Sequence, residues 1–174
     1  MKRKLAVGLT LSAALCGCGS LGQPMSPTEF RQTVGGSSFG TVESFEAARP
    51  YEQVVDTLRK KANECLAVGT TSSGTVFQGN MAMRETSHST YKPTLSVTGQ
   101  STELAVQVDF GDHTVVQKVP EGGFYILVAD ATPAGANATK VTIYRGSLGK
   151  AKEIGAAVRS WATSASATCP NLNG

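Results

Sequence analysis

The chain has 174 residues, with four cysteines, two histidines, one tryptophan and only 6% aromatic residues. Its formal charge of +3 is carried by Lys2, Arg3 and Lys4, because beyond them thirteen basic residues balance thirteen acidic ones. That balance, with Arg59-Lys60-Lys61 as the only later basic run, excludes binding to nucleic acid or to anionic lipid heads through a basic surface.

The first predicted element is a targeting segment. Lys2 to Lys4 precede an uncharged, mostly apolar run from Leu5 to Leu15, followed by Cys16-Gly17-Cys18. A run of about eleven residues rises roughly 16 Å as a helix, too little for a bilayer core of ~30 Å. The order of basic, apolar and small residues is that of a cleaved signal peptide. Leu15-Cys16-Gly17-Cys18 resembles the lipobox of bacterial lipoproteins, with Leu three positions before the cysteine and a small residue directly before it. The resemblance implies removal of residues 1–17 and lipidation (palmitate included) of Cys18. Cys16 follows the large Leu15 and fits less well; the alternative is an ordinary signal peptide cut near Gly19 or Gly22. Gly19, where an Asp would imply inner-membrane retention, makes the outer membrane facing the periplasm the expected address, given a Gram-negative source. Two or more acyl chains hold a protein stably on a membrane, where one does not.

Removing seventeen residues leaves 157, enough for one domain with one core. Residues 18–40 read as a flexible tether, since Pro24, Pro27, Gly35, Gly36, Ser37 and Ser38 interrupt any apolar period. As a random coil it would span roughly 25 Å. The domain is expected over 41–169, with 170–174 as a tail.

Thr41 to Ala48 is predicted to be a strand. Arg49-Pro50 then opens a helix, proline being well suited to a first helical position. Tyr51, Val54, Val55, Leu58, Ala62, Cys65 and Leu66 recur on one face, with Glu52, Asp56, Arg59, Lys60 and Asn63 on the other. Strands are predicted at Thr75–Glu85, Tyr91–Thr98 and Glu103–Phe110, the last alternating Leu104, Val106 and Val108 against polar residues. Gly111-Asp112 reads as a Gly-first hairpin turn, and Thr114–Val119 as the returning strand. Phe124–Ala129 is a nearly all-apolar central strand, Thr132–Ala138 a loop, and Thr139–Arg145 its antiparallel partner. A last helix is predicted from about Ser147 to Ser164, with Leu148, Ala151, Ile154, Val158, Trp161 and Ala162 as its stripe.

The expected fold class is α+β: an antiparallel sheet of about six to seven strands on one N-terminal and one long C-terminal helix. This order resembles the helix-grip arrangement of START-like hydrophobic-ligand binders and of the small domains of the BamC lipoproteins. The resemblance is topological and implies no function by itself.

Few residues suggest chemistry. His88, in a Ser/Thr-rich stretch read as a turn, and His113, after the hairpin turn, lack the convergent ligands of a zinc site. Asp109 and Asp112 flank a turn and read as polar turn residues. There is no Gly-x-Ser-x-Gly elbow and no phosphate-binding glycine loop. No catalytic residue, metal or cofactor is therefore expected. An exported chain makes a Cys65–Cys169 disulfide the default. It closes a loop of about 104 residues, contributing up to ~4.7 kcal/mol in the chain-entropy account. Trp161, Met81 and Met83 read first as core residues; as candidate ligand-lining residues, Trp161 would face a cavity between helix and sheet, while Met81 and Met83, sharing one strand face, would form part of an adaptable apolar binding surface. Two functions follow: a non-catalytic, membrane-anchored module meeting an envelope protein partner, or a carrier of a hydrophobic (lipid) ligand.

Overall fold

The computed structural model describes residues 23–38, 40–111 and 119–173. The elements run α1 (Pro27–Gly35), β1 (Thr41–Ala47), α2 (Tyr51–Cys65), β2 (Gly69–Gln78), β3 (Met81–Thr98), β4 (Ser101–Asp109), β5 (Phe124–Pro133), β6 (Thr139–Arg145) and α3 (Ala151–Thr163). The chain is α+β, with six strands among the described residues in the order β1-β6-β5-β4-β3-β2, every neighbouring pair antiparallel. Cys18, expected to be lipidated, Asp112, expected in a turn, His113 and most of the strand expected at Thr114–Val119 lie outside the described residues.

The pleat of the central strands divides the molecule into layers. In β4, Leu104, Val106 and Val108 join one buried cluster, with Leu58, Ala62, Ile154, Val158 and Trp161 from α2 and α3. Ala105, between two of them, joins the opposite face with Val128, Phe30 and Val34. Alternation along a strand sends neighbours to opposite sides, so α2 and α3 cover one face and α1 the other. β4 and β5 are buried on both faces at the centre, which explains the nearly continuous apolar run of β5.

α1 corrects the expectation of a tether, which holds for no part of residues 27–35. Ser26 caps the helix by accepting from the Glu29 amide at 3.2 Å, and Glu29 reaches back to the Met25 amide at 2.7 Å. This Ser-x-x-Glu arrangement satisfies two amides at the helix start, and Pro27 begins the helix where no donor is needed. Phe30 and Val34, one turn apart, bury themselves on the sheet. Arg31 then latches the helix. Its Nε donates to Asp130 at 2.8 Å, its Nη2 meets both Asp130 and Glu103, and its guanidinium lies 5.9 Å from the Tyr144 ring. Phe30→Ala is expected to undock α1 while leaving the body folded. Trypsin should then cut after Arg31 much faster than in the native chain, with the remaining fragment resistant; unchanged cleavage would show that Phe30 does not hold the helix.

Five further expectations are corrected. The segment Thr75–Glu85 is not one strand: the chain reverses at Gly79-Asn80, so its two halves belong to β2 and β3. His88 accordingly sits within β3, opposite Thr71, rather than in a turn. The last helix is 13 residues, from Ala151 to Thr163, so it is shorter than expected. Nor is everything beyond Cys169 a free tail, because Leu172 is 6% exposed and packs with the main core. Loop 132–138 is also shortened, since β5 continues to Pro133.

Candidate interaction surface

β3 is 18 residues long. Its second half, Thr90–Thr98, pairs with β4, while its first half, Met81–Thr90, pairs only with β2 among the described residues. β2 and the first half of β3 therefore extend past the end of β4 as a two-stranded ribbon, roughly 30 Å long at ~3.4 Å per residue. The turn at its tip takes Gly79 with φ +64° in the first central position, the place where a Gly-first two-residue hairpin needs positive φ. Gly99-Gln100, joining β3 to β4, repeats the device with φ +59° at Gly99.

The ribbon is polar along its shaft and apolar at its end. Thr71 and His88 Nδ1 lie 3.1 Å apart, the Ser73 and Thr86 hydroxyls 3.4 Å apart, and Thr70 donates to the Ser89 carbonyl at 3.4 Å. Near the tip, Phe77 is 75% exposed, Met81 66% and Met83 45%. These are three of the large apolar side chains that the described residues leave in water, and they are gathered on one protrusion. Alternation places Met81 and Met83 on the continuation of the face that carries Tyr91 and Leu95, while Phe77, opposite Ala82, points to the other face.

The remaining residues singled out from sequence are placed elsewhere. Trp161 is fully buried in the main core, and its indole Nε1 donates to the Thr168 carbonyl at 3.0 Å. Met81 and Met83, expected first in the core, are instead exposed near the ribbon tip, away from the buried Trp161 environment, so the three do not line one cavity. Cys65, ending α2, is joined to Cys169, in the segment after α3, with a Cα–Cα distance of 5.3 Å. Asp109 accepts from Lys92 Nζ at 3.1 Å and from the Gly111 amide at 3.0 Å. Phe77 was not singled out from sequence, although Val76-Phe77 and Met81 bracket a Gly-first turn.

Beside the disulfide lies an open cleft of about 350 Å³ bounded by Val68, Cys169, Pro170 and Leu172. A second, of about 280 Å³, is bounded by Thr70, Ser72, Tyr91, Phe110 and Leu172. The Arg31 cluster is a latch. Its guanidinium pKa is raised by the hydrogen bond to Asp130, against the opposing cost of burial, with Glu103 adding to the rise. Burial also raises the phenols of Tyr91 and Tyr125. Among the described residues no three His, Cys, Asp or Glu side chains gather as metal ligands, and no helix is long and apolar enough to cross a membrane.

No protein-family model matches the chain, and neither a curated protein nor a solved structure shows significant similarity to it.

Proposed function

We propose that the chain is a non-catalytic, lipid-anchored interaction module of the cell envelope, tethered through Cys18 and facing the periplasm from the outer membrane. The observation that carries this reading is the ribbon with Phe77, Met81 and Met83 exposed at its end. Large apolar side chains held out on both faces of a protrusion cost solvation and invite a partner. The two-helix face of the sheet is read here as a shortened helix-grip arrangement. The carrier alternative is less favoured, because the space it needs beneath α3 is occupied by Ile154, Val158 and Trp161, each fully buried against strand residues such as Leu127 and Val106.

The test has two parts in cells that make the protein. Feeding an alkyne fatty acid should label the native chain and not Cys18→Ala, which should also leave the membrane fraction. A photoreactive amino acid at position 77 should then cross-link one envelope protein, and Ser at Met81 and Met83 should reduce that product. An unlabelled native chain would overturn the anchor. Lipid bound to detergent-free protein in native mass spectrometry, without any cross-link, would replace this reading by the carrier.

A further inference from the structure

The outer edge of β2 is unlike the other edge of the sheet. β1 is seven residues long and carries Glu43 and Glu46. β2 is ten residues, Gly-Thr-Thr-Ser-Ser-Gly-Thr-Val-Phe-Gln, with no charge and no proline. Among the described residues no strand lies against its outer side. A long edge of this kind offers a full row of amide donors and carbonyl acceptors. Natural sheets ordinarily blunt such an edge with Lys, Pro, a bulge or short length. Here the ladder to β3 runs without a shift from Gly69↔Thr90 to Gln78↔Met81, so no bulge blunts it.

Gly74 is the second observation. It lies at the middle of β2 and pairs with Glu85 inside that regular ladder, away from any turn. Its φ is not positive, and an added Cβ would meet nothing within 4 Å among the described residues. Neither turn geometry nor crowding among those residues calls for glycine there, while glycine inside a strand weakens it. One recognised use of such a glycine is the close approach of another backbone.

The geometry points to a homodimer in which β2 of one copy pairs antiparallel with β2 of a second, on a two-fold axis at Gly74 perpendicular to the sheet. The occupant is a second copy because the edge is complementary to itself. It has no charge to repel its like, its five Ser and Thr residues favour cross-strand pairing, and its mid-strand glycine falls on the axis where the two chains meet. The ends match as well. With Gly74 opposite Gly74, Thr70 of one copy faces Gln78 of the other. Met81, beside Gln78, then comes within two strand spacings, about 10 Å, of Thr70 in the second copy. That residue borders the cleft of Tyr91, Phe110 and Leu172, on the face to which Met81 and Met83 point. Each copy thus sets its methionines towards the other's cleft, while Phe77, on the opposite face, stays free. The inference takes the ribbon as the contact element but needs neither the anchor nor an envelope partner.

Sedimentation equilibrium of the full chain in density-matched detergent tests it. The native chain should have the mass of two copies. Gly74→Lys places two ammonium groups at the axis and Gly74→Glu two carboxylates, so each variant alone should be monomeric. Like-charge juxtaposition should weaken association by about a hundredfold or more. An equal mixture of the two variants should form dimers again, because Lys then faces Glu. Substitution into open space should leave the far-UV spectrum unchanged. A native chain that stays monomeric at its highest soluble concentration overturns the proposal. So do variants that remain dimeric, or a mixture that fails to reassociate. Loss of the cross-link from position 77 with dimerisation intact would instead count against the envelope-partner reading alone.

Discussion

Trp161→Ala is expected to produce the largest loss of stability of any single side-chain truncation in this chain, ~3–5 kcal/mol. Trp161 is the largest of the fully buried side chains and the only tryptophan. It sits on α3 where that helix faces the sheet and packs in one cluster with residues of α2, β4 and β5. Removing the indole loses its transfer energy and leaves a cavity walled by strands that cannot close up. It also removes the donor to the Thr168 carbonyl, the bond that folds the segment after α3 back towards the disulfide. At this chain length 1 kcal/mol moves the midpoint by about 2–4 °C, so the Tm should fall by roughly 6–20 °C. Circular dichroism must follow the transition, because the variant has no indole to report by fluorescence. Trp161→Phe should recover much of the loss but not the hydrogen bond. A loss below about 1 kcal/mol for the alanine variant would mean the indole borders empty space, and would revive the carrier reading.

What could be read from the sequence followed from burial on one side. α2 was legible because Val54, Val55, Leu58, Ala62 and Cys65 repeat at helical spacing and all are buried. β4 was legible because its helix-facing residues alternate with smaller or polar ones, and β6 because turn residues bound it. The disulfide was legible from the expectation of export, which makes pairing of Cys65 with Cys169 the default. By contrast, β2 and the first half of β3 hold no buried side chain among the described residues, so no apolar period marks where one strand ends. The marker was conformational. Gly79-Asn80 and Gly99-Gln100 carry the same Gly-first signal that was read at Gly111-Asp112, and both take positive φ at the glycine.

α1 was hidden for a different reason. Nine residues hold only two buried anchors, Phe30 and Val34, too few for a period to stand out among prolines and glycines. The legible signal was Ser26-Pro27-Thr28-Glu29, a capping pattern that depends on local hydrogen bonds and not on the core. The candidate surface divides the same way. Met81 and Met83 were noticed as residues sharing a face, but their exposure depends on a ribbon that outruns β4. That is a property of strand pairing which no single segment encodes.

The disulfide carries the second large effect. Cys65 and Cys169 are separated by 104 residues along the chain, so the bond removes much of the freedom of the unfolded state. The chain-entropy account gives ~4.7 kcal/mol, and native bridges in small exported domains typically contribute 2–5 kcal/mol. Alanine is the informative replacement at Cys65, which is only 4% exposed, because serine there would add a buried hydroxyl to the loss of the bond. Cys65→Ala and Cys169→Ala should each lower the unfolding free energy by ~2–5 kcal/mol, and the double variant by little more than either. The coupling between them should therefore nearly equal one single effect. Reductant should destabilise the native chain and leave all three variants unchanged. The structural consequence is local to one end of the core. Without the bond, the segment after α3 is held by the Trp161–Thr168 hydrogen bond and by Leu172, so amide exchange over residues 166–173 should accelerate before that of β4 or β5. Strict additivity of the two substitutions, with no response of the native chain to reductant, would show that the cysteines are not joined.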